Sequence, residues 1–419
     1  MSELPPQDPS TADDQRDTDT GGALAIHAPP ESANDETIPV EVTGLTPGEQ
    51  VTFTAELCAH DGVTWRSEAT FTADEDGTVA LAVHAPDDGS YDGVEPMGWY
   101  WSMTAADDGT RFPAVSDEPT VEVELRATAG DRSASRTITR QVYDGGVTAH
   151  PVDHDDVVGT LYEPPGEGPH PAVLDLHGSA GRLSDSTAKA LANEGYATLA
   201  IDYFGEGEPI PDEHRRVPLS YFDTAVDWLG DQPGVREGPV GLVGASRGAE
   251  LALLLGARRD WVGAVVSYAG SAIMWDTPSG EPAWTDDGEP VPHVVADPAP
   301  GASVEKGLTD EQVERATVHV DETDGPVLLL SGGDDEVWQS RYLSNIAMDR
   351  LTEVDFPHRF AHHTYDGVGH FIGRPYCPMT GVGPADRAKA TAHAAADSWP
   401  RAKAFLADGL GKTDEPGEQ

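Results

Sequence analysis

Gly244-Ala245-Ser246-Arg247-Gly248 is the feature that most limits what this chain can fold into. It follows the apolar run Val240-Gly241-Leu242-Val243 and opens a segment with helical apolar spacing from Arg247 to about Arg258. A G-x-S-x-G sequence at a strand-to-helix junction describes a sharp turn. Such a turn lifts a serine hydroxyl above a sheet and sets a helix N-terminus beside it. The glycines are required because neighbouring backbone crowds the serine. An ordinary strand-to-helix turn could carry the same five residues, so the rest of the chain has to supply partners for the hydroxyl.

From Pro171 strand-like and helix-like runs alternate. Ala172 to Leu176, Ala197 to Ile201, Val240 to Val243, Val262 to Val266 and Val327 to Leu330 read as buried strands. Thr187 to Gly195, Tyr221 to Leu229, Arg247 to Arg258 and roughly Asp386 to Leu406 read as helices. That rhythm implies a mostly parallel sheet with helices on both faces, an α/β-hydrolase. Between Ser271 and Asp324 the pattern breaks into Pro, Gly and Asp around isolated Trp275 and Trp284, a candidate lid or substrate wall. Upstream, Glu36 to about Gly145 reads as all-β. Val51 to Leu57 and Val121 to Leu125 alternate apolar and polar, whereas Thr78 to Val83 reads as a fully buried strand. Closely spaced turns point to a small immunoglobulin-like β-sandwich, without the Cys–Trp–Cys framework of a true immunoglobulin domain. The expected organisation is a disordered acidic tail over 1–30, the sandwich over 31–145, the hydrolase over 146–409 and a disordered tail over 410–419.

A serine is a weak nucleophile unless a base, held by a third group, takes its proton. In this fold the order is Ser, then an acid, then His. After the strand Val327 to Leu330 comes Ser331-Gly332-Gly333-Asp334-Asp335-Glu336, and after the strand-like Phe360 to Tyr365 comes Gly367-Val368-Gly369-His370. Ser246, Asp335 and His370 are the candidate catalytic residues, with Asp334 as the rival acid. His358, His362 and His363 lie on the preceding strand and face solvent or core. Leu176-His177-Gly178-Ser179 follows the first strong strand, where the second oxyanion donor of the fold originates. The backbone N–H groups of Arg247 and Ser179 are assigned to the oxyanion hole, with Gly178 as the alternate. His177, beside that Gly-rich loop, braces it. No metal-ligand spacing and no phosphate-cradling loop occurs, so no cofactor is expected.

Composition narrows the partners. The chain carries 74 acidic against 26 basic residues, a formal charge of −48, spread along its whole length. At low ionic strength such a surface repels itself. At molar salt the Debye length falls to about 3 Å and the repulsion is screened. We read the composition as adaptation to a salt-saturated cytoplasm of the haloarchaeal kind; a basic protein partner would call for clustered acids instead. The charge argues against nucleic acid as a partner. No run approaches the roughly 20 apolar residues of a membrane span. The polar N-terminus lacks the pattern of a signal peptide. With Cys58 and Cys377 alone there is no disulfide framework. A cytoplasmic enzyme of undetermined oligomeric state is the simplest expectation.

Read whole, the chain resembles the acyl-CoA thioesterase and bile acid-CoA:amino acid N-acyltransferase family, which joins an N-terminal β-sandwich to a dienelactone-hydrolase-like α/β-hydrolase. The resemblance runs from about Glu36 to Asp408. It rests on Gly44-Leu45-Thr46-Pro47-Gly48, Gly89-Ser90-Tyr91-Asp92-Gly93-Val94-Glu95-Pro96-Met97-Gly98, the serine motif, Gly333-Asp334-Asp335 with Trp338, and Gly369-His370-Phe371-Ile372. It implies that the second aspartate of the pair, Asp335, is the acid. It also implies hydrolysis of acyl-CoA, because family members that amidate carry cysteine at the nucleophile position and thioesterases carry serine. His177-Gly178-Ser179 departs from the family's more glycine-rich loop and looks closer to general esterases. The alternatives are a carboxylesterase or dienelactone-type hydrolase, and an N-acyltransferase. A polyanionic CoA would need local cations, for which Arg182, Arg215, Arg216, Arg247 and Arg374 are candidates. Glu95 to Gly98 with Trp99 and Trp101 is expected to dock the sandwich on the hydrolase.

Overall fold

Eight strands after residue 147 pair into one sheet in a computed structural model that describes residues 22–59, 62–106, 118–205, 209–295, 307–381 and 385–412. They are β1 (Thr148–Pro151), β2 (Val158–Glu163), β3 (Ala172–Leu176), β4 (Ala197–Asp202), β5 (Val240–Ala245), β6 (Val262–Tyr268), β7 (Val327–Gly332) and β8 (Phe360–Tyr365), in spatial order β1-β2-β4-β3-β5-β6-β7-β8. β1 and β2 run antiparallel at one edge, and the remaining pairings from β4 to β8 are parallel. This is the α/β-hydrolase topology. β1 is exposed throughout and ends on Pro151, and β2 buries only Leu161 and Tyr162, which is why sequence periodicity begins to speak only at Pro171.

Buried on both faces, the central strands read as apolar runs in the sequence. Alternate residues then divide between two cores. Leu174, Leu242, Val265 and Leu329 pack with α2 (Ser220–Gly230), α3 (Arg247–Arg258) and α4 (Ser340–Glu353). Val173, Val243, Val266 and Leu328 pack with α1 (Ser186–Asn193) and α5 (Ala388–Leu410).

The N-terminal region forms a seven-stranded and a three-stranded sheet over a shared apolar core. Gln50–Cys58 and Thr120–Ala129 bury every second residue, as their alternation requires. The partition is unequal, and one pairing, between Glu31–Ala33 and Arg132–Gln141, is parallel. Two expectations need correction. Within the tail expected over 1–30, Ala25–His27 is a strand paired with Glu41–Thr43; the rest of that tail up to residue 21, and 413–419, lie outside the described residues. The run from Thr78 to Val83 is a strand only at Val79–Ala80. His84 Nδ1 accepts the Ala80 N–H at 2.9 Å, the chain turns, and Val83 is 65% exposed.

The core of the N-terminal region continues into α5. Ala388, Ala392 and Ala395 pack with Met97, Trp99 and Trp101, while Trp399, Ala402 and Leu406 of the same helix face the large sheet. Thr380 Oγ1 donates to the Met103 carbonyl at 2.6 Å, and His393 Nε2 meets Glu95 Oε2 at 2.8 Å. The Glu95–Trp101 segment therefore docks on the hydrolase body, as expected. Trp275 and Trp284 are 1% exposed and hold their indole N–H groups to Ser271 Oγ and Glu250 Oε1. The described part of the 271–324 excursion is thus packed structure. No helix among the described residues is long and apolar enough to cross a membrane.

Candidate active site

β5 delivers Ser246 to the carboxyl edge of the sheet in a backbone conformation that side chains rarely adopt, φ 56° and ψ −119°. Its N–H donates to the Tyr268 carbonyl at 2.9 Å, and its own carbonyl accepts from Ala249 and Glu250 at 3.0 and 3.1 Å, starting α3. Strain of this kind persists only where the surroundings enforce it. Here they do: a Cβ on Gly248 would stand 2.0 Å from the Leu176 carbonyl oxygen, and one on Gly244 would stand 2.2 Å from that of Gly248. Both motif glycines are required by contact, and the hydroxyl is left partly open to a cavity of about 360 Å³.

The loops after β7 and β8 are stitched together. Gly333 and Asp334 donate their N–H groups to the Tyr365 and Val368 carbonyls at 2.8 and 2.9 Å. That contact fixes His370 over the sheet edge. Its Nε2 lies 2.9 Å from Ser246 Oγ and its Nδ1 lies 2.8 Å from Asp335 Oδ2. Asp335 Oδ1 accepts the Val337 N–H at 2.9 Å. Burial by itself would raise the Asp335 carboxyl, but the hydrogen bond from His370 and its charge, with the Val337 N–H, hold it below the ordinary aspartate range. Asp335 stays ionised. Asp334, one residue away, is exposed, and the His370 ring pairs with Asp335.

The other histidines are engaged elsewhere. His358 meets Asp324 at 3.1 Å, His362 bridges Asn345 and Ser331 at 3.0 Å each, and His363 contacts Arg401. His177 stacks on Tyr203 with ring centroids 3.9 Å apart, and its Nδ1–H donates to the Gly178 carbonyl at 2.9 Å. Burial lowers its pKa to about 4, so it is neutral and braces the loop. Gly178 of this loop lies against the nucleophile: a Cβ there would be 3.3 Å from Ser246 Cβ. Ser179 is exposed, and Arg247 opens α3, whose first N–H groups lack partners within the helix.

Among the five candidate phosphate-binding arginines, Arg247 is corrected. Its guanidinium is 4% exposed and held by Glu250 at 3.1 Å, the Asp276 carbonyl at 2.6 Å and the Trp338 ring. Arg182 is tied to Asp185 and Asp202 at 3.0 and 2.7 Å. Arg215 and Arg216 are exposed, and Arg374 lines the cavity beside Ser246. Sequence reasoning overlooked that residue's setting and the half-buried Asp175, also in the cavity wall. Asp175 had a signal, a carboxylate inside the apolar strand Ala172–Leu176. Burial, with Asp185 nearby, pushes it up to about 7. Among the described residues no group of three or more His, Cys, Asp or Glu is arranged to hold a metal.

Comparison with known proteins gives two family matches: the acyl-CoA thioester hydrolase/BAAT N-terminal region over residues 35–154, and the BAAT/acyl-CoA thioester hydrolase C terminal over 217–412. Mouse peroxisomal succinyl-coenzyme A thioesterase is 30% identical, the match covering 93% of this chain and 97% of that protein. Human acyl-coenzyme A thioesterase 1 is 29% identical over 82% of this chain and 84% of its own. A solved structure, a putative dienelactone hydrolase from Klebsiella pneumoniae, is 16% identical with TM-score 0.43, covering 62% of this chain and 98% of that one.

Proposed function

The chain belongs to the acyl-CoA thioester hydrolase/BAAT family, and on that premise we propose that it hydrolyses acyl-CoA to a free carboxylic acid and CoA through an acyl-Ser246 intermediate. The observation that carries the reading is the hydrogen-bonded line Ser246 Oγ, His370 Nε2, His370 Nδ1, Asp335 Oδ2, at 2.9 and 2.8 Å. His370 takes the Ser246 proton as Oγ attacks the thioester carbon. Ionised Asp335 orients the ring and stabilises the imidazolium. The N–H groups of Arg247 and Ser179, with Gly178 as the alternate to Ser179, receive the developing oxyanion. Collapse expels the CoA sulfur, which takes the proton from His370. Water, deprotonated by the same ring, then releases the acid. Serine, not cysteine, at position 246 supports transfer to water over transfer to an amine.

We assign this chemistry to residues 146–409 and give 31–145 the role of a docked sandwich that supports α5. The acidic composition supports a place of work in a salt-rich cytoplasm. The test is steady-state hydrolysis in molar KCl of an acyl-CoA series beside matched p-nitrophenyl esters. Higher kcat/KM on acyl-CoA is expected. Turnover of simple esters with none of any acyl-CoA would overturn the reading.

A further inference from the structure

Two side chains stand between the Ser246 cavity and a second, smaller one. The smaller cavity, about 40 Å³, lies in the seam and is walled by Asp35 and Gln141 of the N-terminal region and by Asn193 and Glu194 of the hydrolase. Among the described lining residues, Arg374 and Trp399 alone are common to both cavities. Trp399, on α5, is the apolar member of that partition and is 5% exposed.

A buried indole N–H needs an acceptor. Here the acceptor comes from the other region of the chain: Trp399 Nε1 donates to Asp35 Oδ2 at 3.2 Å. The same oxygen accepts from Lys403 Nζ at 3.1 Å. Lys403, one turn along α5, also donates to Glu194 Oε1 at 2.9 Å and lies 5.8 Å from the centre of the Trp399 ring. Asp35 is itself held rigidly. Buried Arg140 donates to the carbonyls of Asn34 and Glu36 at 2.9 and 2.8 Å, which clamps the backbone on both sides of Asp35. The Asn34 N–H donates to the Gln141 carbonyl at 2.8 Å. A wall of the catalytic cavity is therefore fixed by a carboxylate that the hydrolase region does not supply.

We propose that Trp399 is the stop that limits how far an acyl chain extends from Ser246, and that Asp35 is the positioning residue that holds the stop in place. The proposal rests on the thioesterase reading above. Val243, Ile372 and Met379 give the Ser246 cavity an apolar lining suited to methylenes. The phosphates of CoA are separated from the thioester by the pantetheine arm and stay outside it. Each methylene buried against such a lining is worth about fourfold in kcat/KM. The gain should continue until the chain end meets the indole, and then cease.

The experiment measures kcat/KM along straight-chain acyl-CoAs, butanoyl to hexadecanoyl in two-carbon steps, and along the matching p-nitrophenyl esters, at constant molar KCl. In the unmodified enzyme the profile should rise and then break, at the same length in both series. Trp399→Ala joins the two cavities. It should raise kcat/KM for the chain two carbons beyond the break, relative to the chain at the break, by at least about tenfold. Asp35→Ala frees the indole and should raise the same ratio by about fourfold. Asp35→Asn, whose amide oxygen still accepts the indole N–H, should keep the break where it is. If Trp399→Ala does not fold, Trp399→Phe, smaller and without the N–H, should give the Asp35→Ala result. A profile without a break in the unmodified enzyme, or a break that stays in place in the Trp399 variants, overturns the assignment. Asp35→Ala lowering kcat at every length alike, with the break unmoved, overturns the role of Asp35. If no acyl-CoA is hydrolysed while the ester profile breaks and shifts as described, the thioesterase reading fails and Trp399 keeps its role. If acyl-CoAs are hydrolysed with no break, the reverse holds.

Discussion

Charged groups do different work in two regions, the packed side of the nucleophile turn and the seam where the N-terminal sheets meet α5. Behind Ser246, Arg247 and Glu250 are 4% and 0% exposed and pair at 3.1 Å. At the seam Lys389 reaches Asp92 and Glu95 at 2.9 and 3.1 Å, but its side chain is 39% exposed and that of Asp92 is 91% exposed. The distances are alike and the dielectric is not. Coulomb energy at about 4 Å rises from about 1 kcal/mol in bulk water to about 4 at an effective dielectric near 20. Burial, not the number of pairs, decides which charges this fold depends on.

The sharpest test falls on the buried side. Ser246→Ala should leave a folded protein with kcat lowered by roughly a thousand-fold or more, because the three residues act as a unit. Asp335→Asn should cost on the order of 10³–10⁴-fold by removing the ionised partner of His370, whereas exposed Asp334→Asn should change kcat less than about twofold. Finding the two aspartates in the opposite order would place the acid at Asp334.

The next effect is on stability. Arg247→Met keeps the backbone N–H but leaves Glu250 buried with the Trp284 indole at 2.9 Å as a remaining donor. Removing one partner of a buried pair costs about 3–5 kcal/mol. Adding Glu250→Gln should restore most of it, since the amide oxygen still accepts from Trp284. Chemical denaturation of the two variants reads this directly, and a double variant no better than the single would mean that Arg247 acts through its packing on Trp338.

How much of this was legible in the sequence follows the same division. The buried strands and the serine turn were readable because each is local: an apolar run, two glycines, a helix start. Asp335 and His370 were readable because the fold fixes their order. The antiparallel edge β1–β2 was not, since β1 is exposed throughout and β2 buries only two residues, too few for an apolar run. Arg247 read as a phosphate ligand because an arginine at a helix start looks exposed until Trp338 and Trp275 are seen to enclose it. Arg374 was read alike as a phosphate candidate, and its place in the wall of the Ser246 cavity was not legible. A loop arginine has no periodicity, and its surroundings are a property of three dimensions.

Salt separates the regions further. Raising KCl from about 0.1 M to 1 M shortens the Debye length from about 10 Å to about 3 Å. With a formal charge of −48, the melting temperature should climb steeply over that range. The destabilisation by Arg247→Met should stay nearly constant, because its charges lie beyond the reach of screening ions. Thermal melts of the variant and the unmodified protein across the series test both statements. Equal stability of the unmodified protein in dilute buffer would remove the halophilic explanation of the charge.

The smallest effect is expected at the seam. Lys389→Met deletes the contacts to Asp92 and Glu95 but retains an apolar stem at that position of α5. Glu95, the most buried of the acids there at 9% exposure, keeps His393 Nε2 at 2.8 Å, so no carboxylate is stranded. A partly exposed lysine pair of this kind is worth no more than about 1 kcal/mol. What holds the seam is the apolar contact of Met97, Trp99 and Trp101 with Ala388, Ala392 and Ala395. Lys389→Met should therefore lower the melting temperature by a few degrees at most in 0.1 M KCl and by an unmeasurable amount in 2 M. Loss of stability as large as that of Arg247→Met, persisting at high salt, would mean that the seam depends on its charges as the buried side does, and the contrast between the two regions would fall.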